Sequence, residues 1–544
     1  MLTIGIKGWG MTSKTIFGAA ALACIMLAAC GSRQGEDDGR TLHRGNGAEP
    51  LTLDPHKIVL SQELTIIHDL YSGLYDRDAT GAVIPGLAES VEVSADGLTW
   101  TFTLRDAEWS DGVAITAEDA ALGIRRSIDP ATLNNLAINL FFIENAAAAN
   151  RGELPVDAIG VEAIDDRTLV IRLAFQAPYI RDVLAAFAFP VPGHVIKAHG
   201  EDWLAPENLV TSGAYTLTQW RSNQFVRLDR NALFHDAADV CFETVFYHPM
   251  PDSQAAERRV RAGELDLNPG VSMSGVEFLS ENAPELLRRS SSYRTWFLTF
   301  NTRQAPFDDV RVREALSMAI DRRFLSEDIQ RGVTQPNWRP MSPLLPSADG
   351  AFDLSFRDED METRRDRARE LLADAGLGPD QPLQIALSFF PHFARAAPVI
   401  QQDWAAIAPW VSAELYQTDA QLHYASLRAG DFDVGYSGWI PDFADPYGVL
   451  YGWESASGDI NYSGWTDPEF DALLDAAAQE RDPDARLALL SQAERLVLNA
   501  HPQAPLFTEE NYDLVRPDIT GWVANPTGQN PSRWLCREGL EPIQ

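Results

Sequence analysis

The 544-residue chain contains little lysine, and beyond its first thirty residues it has no long apolar run. After Lys14 the only lysines are Lys57 and Lys197, so arginine supplies nearly all of the positive charge. No stretch past residue 30 approaches the ~20 apolar residues that a membrane-spanning helix requires. The formal net charge of −34 produces a field that repels phosphate backbones, so we expect no nucleic-acid partner.

The sequence also lacks the short motifs that are typical of common enzyme classes. It contains no G-x-x-x-x-G-K-[ST] phosphate loop, no H-E-x-x-H zinc motif and no G-x-S-x-G nucleophile elbow. No C-x-x-C occurs, which argues against a zinc knuckle and against a dithiol redox site. We therefore expect neither catalysis nor a metal or other cofactor.

The composition predicts a folded body, because 45% of the residues are hydrophobic and 10% are aromatic. Alternation over 98–104 predicts a half-buried strand with Trp100, Phe102 and Leu104 on its covered face. Asp467 and Asp482 each precede a proline and an acidic residue, which is typical of a helix N-terminus. Further strands are expected over 168–173, 245–247, 383–388 and 432–436, and further helices near 312–320 and over 364–375. The mixture predicts an α/β or α+β fold with several sheets.

The first thirty residues have the pattern of a secretory signal followed by a cysteine. An apolar run, Ile16 to Ala29, follows Lys14 and closes with Leu27-Ala28-Ala29-Cys30. This ending resembles the bacterial lipobox, which implies a signal peptide over 1–29, lipidation of Cys30 and a flexible tether over 30–50. Two alternatives stay open: an ordinary cleaved signal with a chance cysteine, and Met11 as the true start.

One aromatic segment stands out near the C-terminal third of the chain. It runs from Gly438 to Tyr447 and places Asp442 and Asp445 among Trp439, Phe443 and Tyr447. A carboxylate held between aromatic rings in a stiff loop can bind an amine or a guanidinium. A packed surface loop with two turn-forming aspartates explains the same residues. The residues alone leave both interpretations open.

A series of ordered blocks resembles the oligopeptide- and dipeptide-binding lipoproteins of ABC importers, from about Leu51 to the C-terminus. Any single block is weak evidence, whereas the ordered set is specific. The blocks are Leu53-Asp54-Pro55-His56-Lys57-Ile58, Pro85-Gly86-Leu87-Ala88-Glu89-Ser90, Trp100-Thr101-Phe102-Thr103-Leu104-Arg105, Trp109-Ser110-Asp111-Gly112, Thr116-Ala117-Glu118-Asp119, Thr211-Ser212-Gly213-Ala214-Tyr215, Phe300-Asn301 and Asp309-Val310-Arg311-Val312-Arg313.

The resemblance implies an α/β, two-lobed periplasmic-binding-protein fold of the class II type, with an extra domain inserted in lobe I. Lobe I is expected over 51–71, 196–297 and 514–544, the extra domain over 72–195, and lobe II over 298–513. Cys241 and Cys536 then share lobe I, so a disulfide between them is plausible in an exported protein.

The resemblance also implies ligand-binding residues in the cleft between the lobes. Asp442 is expected to pair with a peptide α-ammonium, beside Trp439 and Ile440. Asn461 matches another cleft position, and Ser61 matches a lobe I position that faces the ligand backbone. Tyr436 and Gln304 replace basic groups that meet the peptide carboxylate in the family. Arg303 lies next to Gln304, and Arg395 lies near another cleft segment.

The resulting hypothesis is a lipid-anchored receptor that delivers short peptides to an ABC permease and its ATPase subunits. We expect a monomer in the cell envelope, in the periplasm or on the outer face of the cytoplasmic membrane, attached through its lipid only. A receptor for a nickel chelate, haem, opine, oligosaccharide or cell-wall peptide is the alternative. A lipid-anchored hydrolase is a third reading, which the absent nucleophile and metal motifs disfavour.

Overall fold

The computed structural model describes residues 39–58, 61–348, 352–441 and 443–543. The predicted signal peptide, Cys30 and Asp442 lie outside these residues. The strands are β1 (Thr41–Gly45), β2 (Tyr75–Arg77), β3 (Val83–Pro85), β4 (Ala88–Val93), β5 (Thr99–Leu104), β6 (Val161–Ala163), β7 (Thr168–Arg172), β8 (Tyr215–Arg221), β9 (Phe225–Arg230), β10 (Thr244–His248), β11 (Leu267–Pro269), β12 (Leu287–Phe300), β13 (Thr334–Pro336), β14 (Leu383–Phe389), β15 (Val411–Gln417), β16 (Val434–Trp439), β17 (Gln503–Val515), β18 (Ile519–Thr520) and β19 (Cys536–Arg537).

The α-helices lie between and around these strands. Their bounds are Ser61–Leu70, Ala117–Ile128, Ala146–Asn150, Ile180–Phe187, Gly193–His199, Ser253–Arg261, Met273–Asn282, Val310–Met318, Arg322–Phe324, Met361–Asp374, Ala397–Ala405, Ala420–Ala429, Tyr447–Leu450, Pro468–Gln479 and Pro483–Ala500. Over the described ranges, no helix combines the length and the apolar character that crossing a membrane requires.

Two long strands, β12 and β17, connect the two lobes. They pair antiparallel at the centre of a sheet with the order β15-β14-β16-β12-β17-β11-β1-β10-β9-β8. We call the part built around β14–β16 lobe II and the part built around β1 and β8–β11 lobe I. The register of β12 shifts between Ser291 and Thr295, opposite Glu510 and Thr508 of β17. Such a bulge bends a strand, so the sheet is bent where one lobe gives way to the other.

Three large hydrophobic cores support this architecture. One lies in lobe II and includes Leu298, Leu387 and Val434. The second lies in lobe I and takes in Leu87, Trp109 and Ile115 from the range predicted for the extra domain. The third belongs to the sheet β4-β5-β7-β6 and the helices Ala117–Ile128 and Ile180–Phe187, which we call the extra domain.

The local sequence patterns are confirmed at most of these elements. In β5, Phe102 and Leu104 are buried and Trp100 is partly buried. The Asp467 carboxylate accepts hydrogen bonds from the Glu469 and Phe470 amides at the start of its helix. The predicted strand over 432–436 begins and ends later, at Val434 and Trp439. The helix predicted over 364–375 begins at Met361 and ends at Asp374.

The predicted tether over 30–50 is wrong in its second half. Residues Thr41–Gly45 form β1, which pairs in parallel with β10 over its whole length. Arg44 is buried there and donates to the Asn530 carbonyl and the Ser532 hydroxyl. The stretch is polar because its side chains have partners inside lobe I. Nearby, Cys241 and Cys536 form a disulfide, in agreement with the expectation for these two cysteines.

Candidate functional site

A cavity of about 570 Å³ opens between the two lobes, directly over the long strands. β12 and β17 provide its floor, with Arg294 and the stretch from Glu509 to Asp513. Lobe I provides one wall with Val271, Met273 and residues 527–529, and lobe II provides the other with Pro391, His392 and Arg395. Because both lobes line the cavity, a bound solute would touch each of them.

The floor of this cleft carries several charged side chains. Arg294 pairs with Glu509 at 3.0 Å, and the Trp296 indole donates to the same carboxylate at 3.1 Å. Glu510 pairs with Arg289 and accepts from the Tyr512 hydroxyl. Burial raises the pKa of Asp513 to about 6, although the Gly270 amide donates to its carboxylate. The three carboxylates of β17 make the floor more acidic than basic.

An aromatic cluster lies on the lobe II side of the cleft, around Tyr436. The Tyr436 ring is fully buried and stacks on Phe393 at 4.0 Å and on Trp296 at 5.0 Å. Its hydroxyl lies 2.9 Å from Nδ1 of His392, which stacks on Trp296. Desolvation lowers the pKa of His392 and raises that of Tyr436. The pair therefore offers hydrogen bonding without a positive charge at neutral pH.

The segment Gly438–Trp439–Ile440 follows this cluster at the end of β16. A Cβ at Gly438 would lie 2.4 Å from Cε3 of Trp296, so only glycine fits against that ring. The Trp439 indole donates to the Gly448 carbonyl at 2.9 Å, and its ring lies edge-on to Tyr451. Ile440 is 52% exposed. The end of β16 is thus held by packing and a hydrogen bond as far as Trp439. Ile440 and Pro441 then lie between Trp439 and Asp442 in the sequence.

The second acid of the aromatic segment, Asp445, has a structural role. Its carboxylate accepts two hydrogen bonds from Arg486, at 2.7 and 3.0 Å, and both side chains are mostly buried. It also accepts from the Tyr447 amide at the start of a short helix. The turn-forming interpretation is therefore correct for Asp445.

The remaining predicted ligand contacts occupy different places. The Asn461 amide donates to the Trp453 and Trp465 carbonyls and accepts from Ser463 and Gly464. Arg303 donates to the Tyr462 and Asn461 carbonyls. Both side chains hold the loop 453–465, and their contact with a ligand stays a prediction.

Arg395 belongs to lobe II, and Ser61 belongs to lobe I. The exposed Arg395 guanidinium contacts the Met273 sulfur at 3.0 Å, across the cleft, and pairs with no carboxylate of the described residues. Ser61 begins the helix Ser61–Leu70. Their roles as ligand contacts likewise remain predictions.

Arg294, His392 and Glu509 are among the cleft residues that the sequence interpretation missed. Each comes from a different element, and the fold alone brings them together. The change in β12 from a polar first half, which ends near Arg294, to an apolar second half was the one available signal. Within the described ranges no group of three His, Cys, Asp or Glu side chains is arranged to hold a metal ion.

Residues 82–461 match the family model described as bacterial extracellular solute-binding proteins, family 5 Middle. The chain is 33% identical over 493 residues to the probable deoxycholate-binding periplasmic protein YgiS of Escherichia coli, covering 88% of this chain and 90% of that protein. It is 31% identical over 539 residues to the periplasmic oligopeptide-binding protein OppA of Escherichia coli, with coverage of 96% and 97%. The structure of the Escherichia coli murein tripeptide-binding protein MppA superposes with a TM-score of 0.77 at 30% identity, over 92% of this chain and 99% of that one.

Proposed function

The chain belongs to family 5 of the bacterial extracellular solute-binding proteins, and we propose that it is the lipid-anchored receptor that presents short peptides to an ABC permease. Members of this family bind solutes and are not enzymes, so a hydrolase is excluded. The transport energy comes from the ATPase partner of the permease. The receptor's own task is to close its lobes over a solute, a hinge motion typical of periplasmic binding proteins.

The observation that carries this proposal is the interlobe cleft over β12 and β17. Its volume of about 570 Å³ suits a small extended ligand. An extended peptide is held mainly through its main-chain groups, as an added strand would be. Water in the remaining space adapts to different side chains. Such a site selects for length and terminal charge more than for sequence.

Asp442 is the proposed anchor for the peptide α-ammonium. Asp445, the other acid of the segment, is already committed to Arg486. Asp442 directly follows Trp439, Ile440 and Pro441 at the cleft end of β16. A carboxylate beside aromatic rings pairs well with an ammonium group.

Arg395 is the proposed partner of the opposite, carboxylate end. It lines the cleft, and Arg294, the other cleft guanidinium, is paired with Glu509. The Tyr436–His392 pair contributes hydrogen bonds but no charge. Arg395 is therefore the one charge that we propose for the carboxylate end, as Asp442 is for the amino end.

Native mass spectrometry of the protein expressed without residues 1–30 tests the cargo. The proposal predicts a ladder of small peptide masses that leave the protein on mild activation. A single non-peptide mass would contradict the peptide assignment and favour the second candidate described below.

Anchoring through Cys30 is a separate part of the proposal. A single cysteine lipidated near the N-terminus would keep the receptor near its permease at the outer face of the cytoplasmic membrane or in the periplasm. Cys30→Ser expressed in a bacterial host should move the protein from the membrane fraction to the soluble fraction. Retention in the membrane fraction would show that another segment anchors it. We also expect the released protein to sediment as a monomer.

A non-peptide, amphipathic cargo is the second candidate. Two observations favour it: the neutral Tyr436–His392 pair in the cleft and the 33% identity to a probable deoxycholate-binding protein. In this case the aromatic cluster of lobe II would pack on a ring system, and Asp442 would not be essential.

A further inference from the structure

A second cavity, of about 250 Å³, lies between the extra domain and lobe II. The extra domain contributes residues between Ile138 and Tyr179, and lobe II contributes residues between Phe443 and Ile460. None of the described lining residues comes from lobe I or from the strands β12 and β17. This groove therefore shares no described lining residue with the interlobe cleft.

Aromatic rings form both walls of the groove. Tyr179 stacks on Phe443 at 4.2 Å and on Tyr447 at 5.7 Å, with nearly parallel planes. Phe443, although it belongs to the lobe II segment, packs into the core of the extra domain. The base of the groove is thus firmly packed. Other ring faces remain partly exposed toward its opening: Phe141, Phe175, Tyr447 and Tyr451.

Glu454 lies at one end of this groove and is the one acidic side chain among its described lining residues, which include no lysine, arginine or histidine. The Tyr447 hydroxyl hydrogen-bonds to its carboxylate. Burial, together with the nearby Asp471 and Asp475, raises the pKa of Glu454 to about 7. The Arg486 guanidinium, whose charge acts on the Tyr447 hydroxyl, is held by Asp445. The local charge is consequently negative and lacks a resident counter-charge.

We propose that this groove is a second binding site, which takes a small aromatic cation: one or two fused rings that carry a protonated amine. The rings would lie against Phe141 and Phe175 on one wall and Tyr447 on the other. The ammonium would point toward Glu454. Aromatic faces attract cations, and the attraction increases where water is displaced. The formal charge of −34 adds a field that draws cations to the protein.

The groove joins lobe II to the extra domain, which is attached to lobe I, so it spans the two lobes at a place apart from the main cleft. A ligand seated there would hold the extra domain and lobe II together, whatever solute occupies the main cleft. The proposal therefore does not depend on the peptide assignment.

Three matched probes test the site on the protein lacking residues 1–30. They are 1-naphthylmethylamine, 1-naphthylmethanol and 1-naphthaleneacetate, which share a ring system and differ in charge. Isothermal titration at pH 8 should show one site for the amine, at least tenfold tighter than for the alcohol, with the acetate weakest. Equal affinities for the amine and the alcohol would overturn the proposal.

Two variants connect this preference to the groove. Glu454→Gln should remove the tenfold advantage of the amine and leave alcohol binding unchanged. Asp459→Asn is the matched control, because it removes an equally charged, exposed side chain from the same loop. If both variants lower amine affinity alike, the general field and not Glu454 attracts the cation, and the assignment fails.

A competition experiment separates this site from the main cleft. Saturation with a peptide that binds the protein should not weaken naphthylmethylamine binding, because the two sites share no described lining residue. Mutual displacement would show that the amine occupies the interlobe cleft and would overturn a second site. Loss of peptide binding alone, with amine binding intact, would contradict the proposed function and leave the groove standing.

Discussion

Two regions that stand out in the sequence do different work in the fold. Buried side chains of the N-terminal blocks tie lobe I to the extra domain. Asp54 forms two short hydrogen bonds with Arg126, at 2.7 and 2.6 Å, and the Asp119 carboxylate accepts from the Trp109 indole and the Gly193 amide. The segment that begins at Gly438, in contrast, ends a strand near the cleft and leaves Ile440 exposed.

The contrast explains why the sequence identifies the family more clearly than it identifies the ligand. The blocks with the clearest resemblance maintain the scaffold and contribute none of the described residues that line the cleft. The residues that line the cleft come from separate elements, and the buried Tyr436, which is hydrogen-bonded to His392, departs from the resembled pattern. Substitutions in the N-terminal blocks should therefore lower the stability of the protein. Substitutions in the segment that begins at Gly438 should instead lower its affinity for the ligand.

The largest expected effect separates the two aspartates of the segment. Removing one partner of a desolvated charge pair costs about 3–5 kcal/mol, which corresponds to on the order of 10² to 10³-fold in affinity. Asp442→Ala should lose that much affinity for peptides with a free amino end, with an unchanged midpoint of denaturant unfolding. Asp445→Ala should instead lower the unfolding free energy, because it leaves the buried Arg486 unpaired. The distinction fails if the two variants lose affinity and stability in the same proportion.

Asp54→Ala should strongly destabilise the protein without a direct effect on the cleft. The carboxylate is 0% exposed and its loss leaves the Arg126 guanidinium uncompensated, at a cost of about 3–5 kcal/mol. Arg126 also lowers the pKa of Asp54 against the opposing effect of burial. Asp106→Ala, which removes an exposed acid, is the control and should change stability by less than about 0.5 kcal/mol. Equal effects of the two substitutions in chemical denaturation would contradict the structural role of Asp54.

His56 in the same block should make stability depend on pH. Burial, and then the Arg126 charge, lower its pKa from 6.5 to about 4. The unfolded chain therefore takes up this proton first as the pH falls. The stabilisation is fully present above about pH 6.5 and decreases toward pH 4, by up to about 3 kcal/mol. The unfolding free energy of the wild type relative to His56→Gln should shrink over that window; a constant difference would argue against a neutral buried histidine.

Tyr436→Phe should have the smallest effect. It removes the hydrogen bond to His392 and leaves the ring stacking intact, which costs about 1 kcal/mol of stability. Because the pair carries no charge, peptide affinity should change by less than about threefold. A much larger loss of affinity, measured by titration calorimetry, would mean that this hydroxyl contacts the solute directly.

Local sequence patterns predicted the strands and helices whose formation depends on residues close together in the sequence. The alternation of β5 reflects one buried face, and the caps at Asp467 and Asp482 satisfy free amides at two helix starts. They failed at β1, whose partner strand lies some two hundred residues away along the chain. The charged Arg44 and His43 resembled a solvated stretch because their partners are equally distant: Ser532 and His248.

The candidate site was predictable only in part, for the same reason. The aromatic segment can be recognised because its residues are contiguous. The fold brings Arg294 and Glu509 together because β12 and β17 are paired, and it adds His392 from a loop after β14. No spacing within the sequence connects them. Asn461 matched a cleft position, yet its amide is used within its own loop.

Titration of the wild-type protein with trialanine and with N-acetyl-trialanine tests the central claim most directly. The two ligands differ only in the positive charge at the amino end. If the protein is a peptide receptor with an α-ammonium anchor, the free peptide should bind at least about 100-fold more tightly. Equal affinities would contradict the anchor at Asp442, and binding of neither peptide would contradict the peptide receptor itself.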